Sequence, residues 1–323
     1  MVHGTMKSLF FQSFADLGSL INYARSYITR ASSSRLPRIP KKTSSKTVEV
    51  RCRGEFLYGV SPCLAAIQAN RRKIHKIYIK PGVSEKKGVM KRSALDNVWK
   101  VAEKRKVDIL RLDKSAMETL SGKKPHQGVV MDVSPLHFKK IEPSDCKLSA
   151  TKRSENPIWL LLDELHDPMN LGAILRCAYF LGVDRVITTA KKCCPLSPAV
   201  SKASSGAMEL LPVFAVQDMG EFLSEASHEG WKILGTCSSI HEDEMDDNKE
   251  VPVIQCSQYM VKEPTIIALG NEGYGLRGYI QKACSAMLTV TPCRELSEGF
   301  DSLNVAVAAG ILLHTLQQNK KDN

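Results

Sequence analysis

Five polar residues near the C-terminal half carry the chemistry that this sequence offers: Asn170, Arg176, Glu272, Ser302 and Asn304. They lie in three segments, DPMNLGAILR (167–176), ALGNEGYGL (268–276) and VTPCRELSEGFDSLNVAVAAG (290–310), each just beyond the end of an apolar run. In an open parallel sheet that end is where ligands bind. An amide pair, a guanidinium and a carboxylate gathered there can orient a hydroxyl-bearing ligand and stabilise negative charge as it develops. Ser302 and Asn304 have a second reading, because both residue types cap helix N-termini. From Val305 to Leu316 the chain is almost wholly apolar, which predicts a buried helix.

The elements around these segments alternate. IWLLLD (158–163) is a continuous apolar run of buried-strand type, LGAILRCAYFLG (171–182) a helix and DRVITT (184–189) the next strand. That is a crossover unit of a parallel sheet. SPAVSKASSGAME (197–209) reads as a helix, followed by LPVFAV, a helix near 218–228 and strands WKILGTC (231–237), TIIAL and SAMLTVTP (285–292). The run HEDEMDDNKE supplies six acids of a solvated loop that would not face phosphate. Upstream, a helix at 59–70, strands at 75–80, 107–112 and 126–136, and helices at 89–106 and 113–122 predict a smaller, lysine- and arginine-rich α/β domain. Asp113 caps the second of these helices and Gly122 closes it. Residues 138–156 lack periodicity and read as a linker. The expected division is thus 49–137, 138–156 and 157–323, preceded by 1–48.

Composition narrows the partners. The chain has 323 residues and a formal net charge of +11, an excess suited to a polyanion, nucleic acid before membrane surface. Residues 1–48 hold eight Lys or Arg, nine Ser and a single acid, Asp16, with Leu9, Phe10, Phe14, Leu17 and Ile21 at helical spacing. This is the pattern of a mitochondrial transit peptide; a disordered basic arm is the alternative. No apolar run is long enough to span a membrane. Ten cysteines without a C-x-x-C pair predict free thiols in a reducing compartment and no metal site. The glycines at 270, 273 and 275 do not form a dinucleotide fingerprint, which removes a generic Rossmann oxidoreductase.

Taken together and in order, D-P-x-N-x-G-x-x-x-R, G-N-E-G-x-G and P…S-L-N-V resemble the three motifs of the SpoU (TrmH) family of RNA ribose 2'-O-methyltransferases, over roughly residues 157–318. FLYGVSPCLAAI and HQG are similar to the small ribosomal-protein-like substrate-binding domain of many members. The resemblance implies a SPOUT-type α/β parallel sheet with a deep trefoil knot, an obligate homodimer and S-adenosylmethionine as cofactor. With the presequence, it points to members that methylate a guanosine of mitochondrial large-subunit rRNA in the matrix. A tRNA substrate and a catalytically silent assembly factor are the alternatives. Carried over by motif position, Asn170 and Arg176 serve the active site, with Arg176 addressing ribose and phosphate. A guanidinium is a poor proton acceptor, so stabilising a developing alkoxide is its defensible role. Glu272 would orient neighbouring groups, and Ser302 and Asn304 the ribose. Gly270, Asn271, Gly273, Thr291 and Leu303 would hold the cofactor, mainly through backbone. Ala306 stands where the family usually has Ser, and the loop from Pro292 to Ser302 is long and carries Arg294, Glu295, Glu298 and Asp301.

Overall fold

A computed structural model describes residues 50–81, 98, 100–147, 156–238, 251–271, 273–297 and 302–320. From Arg53 onward these form one unit built on two sheets. The sequences 1–48 and HEDEMDDNKE, and Glu272, lie outside the described residues, as does most of the expected helix at 89–106.

The smaller sheet joins β1 (Glu55–Tyr58), β2 (Ile74–Ile79), β3 (Ile109–Arg111) and β4 (Val129–Val133) in the order β1-β4-β2-β3. Only β2 and β3 run parallel. Helix α1 (Val60–Ala69) turns Cys63, Ala66 and Ile67 onto Leu57, Ile77 and Met131. Helix α2 (Lys114–Leu120) starts where expected, its first turn closed by Ala116 N–H donating to the Asp113 carboxylate at 2.9 Å.

The larger sheet holds eight parallel strands: β5 (Lys139–Lys140), β6 (Ile158–Leu162), β7 (Arg185–Thr189), β8 (Val213–Val216), β9 (Lys232–Cys237), β10 (Val253–Gln255), β11 (Thr265–Leu269) and β12 (Ala286–Thr289). Their order is β10-β12-β9-β11-β6-β7-β8-β5. The two middle strands, β6 and β11, are buried along their whole length because both faces are covered. In β6, Ile158, Leu160 and Leu162 point to one core, while Trp159 and Leu161 enter the other. The first core is roofed by α3 (Pro168–Phe180), α4 (Pro198–Ala203), α5 (Ala207–Leu210) and α8 (Val305–Gln318). The second lies under α6 (Met219–His228) and α7 (Gly278–Ala283).

Four local differences from the sequence reading have physical causes. Helix α3 begins at Pro168 rather than at residue 171, since Asp167 caps it and proline suits the first helical position. Asn170 is therefore inside the helix and not in a turn before it. The helix expected at 197–209 breaks into α4 and α5 at Ser205 and Gly206, both at positive φ. Residues 139–146, expected within a linker, instead add edge strand β5 and a 3₁₀ turn that buries Ile141 and Cys146. Trp231 fixes that turn by donating its indole N–H to the Cys146 carbonyl at 2.7 Å. Finally, α8 is buried on one face only: Ala306, Ala309, Leu312, Leu313 and Leu316 pack inward, while Val307 and Ile311 face out.

The two sheets are joined through a buried ion pair. The Arg72 guanidinium donates to both Glu209 carboxylate oxygens, at 2.7 and 3.0 Å, with both side chains fully buried. Glu209 also accepts from Ser201 Oγ at 2.8 Å, and Arg72 also meets Glu55 and the Ser134 carbonyl. Arg71 donates to the Met208 and Glu209 carbonyls, satisfying the end of α5. A buried pair survives desolvation only with hydrogen bonds of this completeness.

Candidate active site

Parallel strands deliver all of their following loops to one edge. Here residues 163–167 after β6, the described residues of the turn after β11 (270–271 and 273–277) and those after β12 (290–297 and 302–304) lie at that edge. Two side-chain hydrogen bonds tie them together. Asn271 Nδ2 donates to the Glu164 carbonyl at 2.8 Å, linking the second segment to the first. Asn304 Nδ2 donates to Asn170 Oδ1 at 3.0 Å, linking the third to the first. Asn304 does cap its helix, since its Oδ1 accepts from Ala306 and Val307 N–H at 3.0 and 3.4 Å. One amide thus serves both readings of that residue.

The glycine turn is closed by its own backbone. Asn271 and Gly275 exchange N–H to carbonyl bonds of 3.0 Å, and Gly273 N–H donates to Asn271 Oδ1 at 2.8 Å. A Cβ on Gly270 would fall inside the Gly275–Leu276 backbone, so only glycine permits this crossing. Ser302, Leu303 and Thr291 are exposed around the opening. Arg176 is exposed on α3, six residues from Asn170, which places it about 9 Å along the axis and on another face. The structure therefore joins Asn170 to Asn304 and ties Asn271 to the loop before α3, while Arg176 projects from another face of that helix.

What holds the edge was not singled out in the sequence. Asp163 and Glu164 follow β6 directly, Asp163 fully buried and Glu164 nearly so, with Glu164 at a φ of 51°. The Arg277 guanidinium pairs with Asp163 and, at 2.9 Å, with Glu164, while Arg277 N–H donates to Asp163 Oδ2 at 3.1 Å. Lys192 reaches Glu164 at 3.0 Å, and the Tyr274 hydroxyl donates to the same carboxylate. Arg277 also lies 4.9 Å from the Tyr279 ring centroid. The available signal was two acids ending a buried strand, which burial obliges to find partners. Among the described residues no group of three or more His, Cys, Asp or Glu could hold a metal ion.

This network has a pH signature. The Tyr274 hydroxyl, then Lys192, holds the Glu164 carboxyl below the usual carboxylate range. The same bond pushes the Tyr274 phenol from 10 up to about 12. A depressed carboxylate stabilises the fold above its unfolded pKa and loses that contribution as pH falls through the folded value. A raised phenol contributes fully below its unfolded pKa and loses the contribution as pH rises through the folded one. Wild-type protein should thus melt higher than Tyr274→Phe at neutral pH, with the gap closing toward both acid and strongly alkaline pH. Thermal unfolding across pH checks this, and a constant gap would refute it.

Comparison with known proteins gives the site its context. The SpoU rRNA Methylase family matches residues 157–314, and the RNA 2'-O ribose methyltransferase substrate binding family matches 56–139. The human protein named rRNA methyltransferase 1, mitochondrial is 40% identical over 271 residues, which cover 83% of this chain and 73% of that protein. A 23S rRNA (guanosine-2'-O-)-methyltransferase, RlmB, from Coxiella burnetii is 28% identical, over 82% of this chain and 96% of its own. The fold is shared with an AdoMet-bound rRNA methyltransferase from Sinorhizobium meliloti, at a TM-score of 0.60 and 19% identity over 82% of this chain and 87% of that one. The chain belongs to the SpoU rRNA methylase family and is a methyltransferase.

Proposed function

We propose that this chain transfers a methyl group from S-adenosylmethionine to the ribose 2'-hydroxyl of a guanosine in mitochondrial large-subunit rRNA. The observation that carries the reading is the convergence of three motif segments, through the Asn271–Glu164 and Asn304–Asn170 hydrogen bonds, at the ligand-binding edge of a parallel sheet. Relatives named mitochondrial rRNA methyltransferase 1 in human, Dictyostelium discoideum, Schizosaccharomyces pombe and Saccharomyces cerevisiae support the substrate and a mitochondrial location. The matrix is the compartment this implies, with residues 1–48 as presequence.

The residues present fit the cofactor. Strands β11 and β12 flank β9, so the Gly270–Gly275 turn and the loop after β12 leave the same sheet edge on either side of it. A side chain at Gly270 would strike the backbone of its own turn, which keeps the turn flat and open to a ligand, and Leu303 is exposed at this edge. Gly270, Asn271, Gly273, Thr291 and Leu303 would hold S-adenosylmethionine, which supplies an electrophilic methyl group when bound. Asn304, fixed by three hydrogen bonds, orients the ribose with Ser302. Arg176 holds phosphate and stabilises charge developing on the 2'-oxygen, and Glu272 orients its neighbours. The smaller sheet (within 49–137) would hold the RNA, and 157–323 would form the methyltransferase domain, with 138–156 between them.

The reading includes a homodimer and a trefoil knot. Met169, Arg176 and Phe180 share one face of α3, and Met169 and Phe180 are 60% and 86% exposed. Val307 and Ile311 extend this apolar surface on the neighbouring α8. A second copy covering it would place Arg176 at the interface, explaining its distance from Asn170 in one chain. The knot is what membership of the family implies.

Three measurements test these parts. Mapping 2'-O-methyl groups in mitochondrial rRNA of cells lacking the protein should show one guanosine losing its mark. The mark should return with the full chain but fail with Arg176→Ala, with Asn304→Ala or without residues 1–48; its return with both substitutions would sink the catalytic assignment. Sedimentation should give a dimer for the wild type and a monomer for Val307→Asp; equal sedimentation would exclude this face. Pulling the unfolded chain by its ends should leave it shorter than its residue count allows, whereas full extension would exclude the knot.

A further inference from the structure

The seam between the two sheets holds an ammonium that the fold does not neutralise. Lys202, in the last turn of α4, donates to Gln127 Oε1 at 3.1 Å. Gln127 comes from the turn before β4, at a φ of 54°, and the same oxygen accepts from Val60 N–H at 3.1 Å. Among the described residues no carboxylate pairs with Lys202, and burial pulls its pKa below the usual lysine value. A lysine with a structural ion-pair partner shifts the other way.

The surroundings add positive charge. His126 adjoins Gln127, and burial, then Lys80, Lys114 and Lys202, lowers its pKa. Glu118 acts the other way, and Glu118 is itself paired with Lys114 at 3.5 Å. Lys123 and Lys124 are exposed just before this turn. Gly59, at a φ of 100°, starts α1 without a side-chain cap, and α1 has no acid in its first turn. A Cβ at Gly59 would come 2.6 Å from Lys202 Nζ, so the ammonium sits directly over the partial positive charge of the helix start. Cation against helix N-terminus, ringed by further cations, is repulsive in the free protein. An anion inserted there would be attracted by each of these cations and by the helix start.

We propose that this seam is a phosphate-binding site centred on Lys202 and Gln127, and that a backbone phosphate of the substrate RNA occupies it. The inference rests on the RNA-methylating reading above and deepens it. It gives the RNA a contact made by both sheets at once, with Lys202 from the methyltransferase side and Gln127, His126 and the α1 start from the other. The Gln127 side-chain nitrogen and two remaining Lys202 protons are the donors offered to the phosphate oxygens. Lysine serves here as a point charge without base selectivity.

The test compares wild type, Lys202→Gln and Lys202→Arg in three assays: binding of a large-subunit rRNA fragment across salt concentrations, thermal unfolding, and binding of S-adenosylmethionine. Loss of one phosphate contact should lower the slope of log affinity against log salt by about 0.7 to 0.9 in Lys202→Gln. Lys202→Arg should restore it, and cofactor binding should be the same in all three. The unfolding temperature of Lys202→Gln should stay level or rise, because a repulsive charge has gone; a merely structural lysine would lower it. An unchanged salt slope, or a lower unfolding temperature without a slope change, overturns the site. An acidic peptide that displaces the rRNA fragment from wild type but not from Lys202→Gln also overturns the assignment to RNA phosphate. Wild type that binds the fragment with the expected slope yet transfers no methyl group would refute the proposed function and leave this site standing.

Discussion

The geometry of the sheet edge depends on two carboxylates that a buried strand delivers to its own end. Strand β6 is apolar on both faces, so Asp163 and Glu164 leave it into an environment that tolerates charge only when it is met. Arg277 and Tyr274 meet it from the turn after β11, and Lys192 from the connection after β7. Because Arg277 and Tyr274 belong to the glycine turn, neutralising the acids also pins that turn against the start of α3. Asn170 then stands in the first turn of α3, where Asn304 can reach it. Remove the acids and the turn has no reason to lie where it does.

Much of this was legible in the sequence wherever a residue's environment is set locally. β6 and β11 are runs of apolar residues whose length and flanks identify them, β7 and β9 are β-branched or apolar stretches between helix signals, and Asp113 announces its helix by cap chemistry alone. The family shown by the comparisons was legible from three short motifs, because their glycines, amides and proline answer to backbone geometry that changes little. Strand β5 escaped because two residues carry no periodicity, and its partner β8 lies over seventy residues away. The outward face of α8 escaped for the opposite reason: valine, isoleucine and leucine look the same whether they face a core or open solvent.

At the site, residues with local signatures were found and residues acting at a distance were not. Asn304 follows from its position before a helix, and Gly270 from its turn. Arg277 and Lys192 are ordinary surface cations by composition, and only the fold shows that Asp163 and Glu164 lie within their reach. Lys202 is the same case with the sign reversed, since the absence of a paired carboxylate among the described residues is visible only once the two sheets are in place.

The Arg72–Glu209 pair has a consequence for how the molecule measures what it holds. With both side chains at zero exposure and four hydrogen bonds drawn from the Arg72 guanidinium, sliding one sheet against the other would strand a charge in a dry seam. The junction is therefore a clamp rather than a hinge. The span from the seam to the Asn170–Asn304 pair is fixed by the fold, as a calliper is set by its screw. An RNA held at the proposed phosphate site would meet the other jaw at a single separation, and the number of nucleotides between the two contacts would become a property the protein can select.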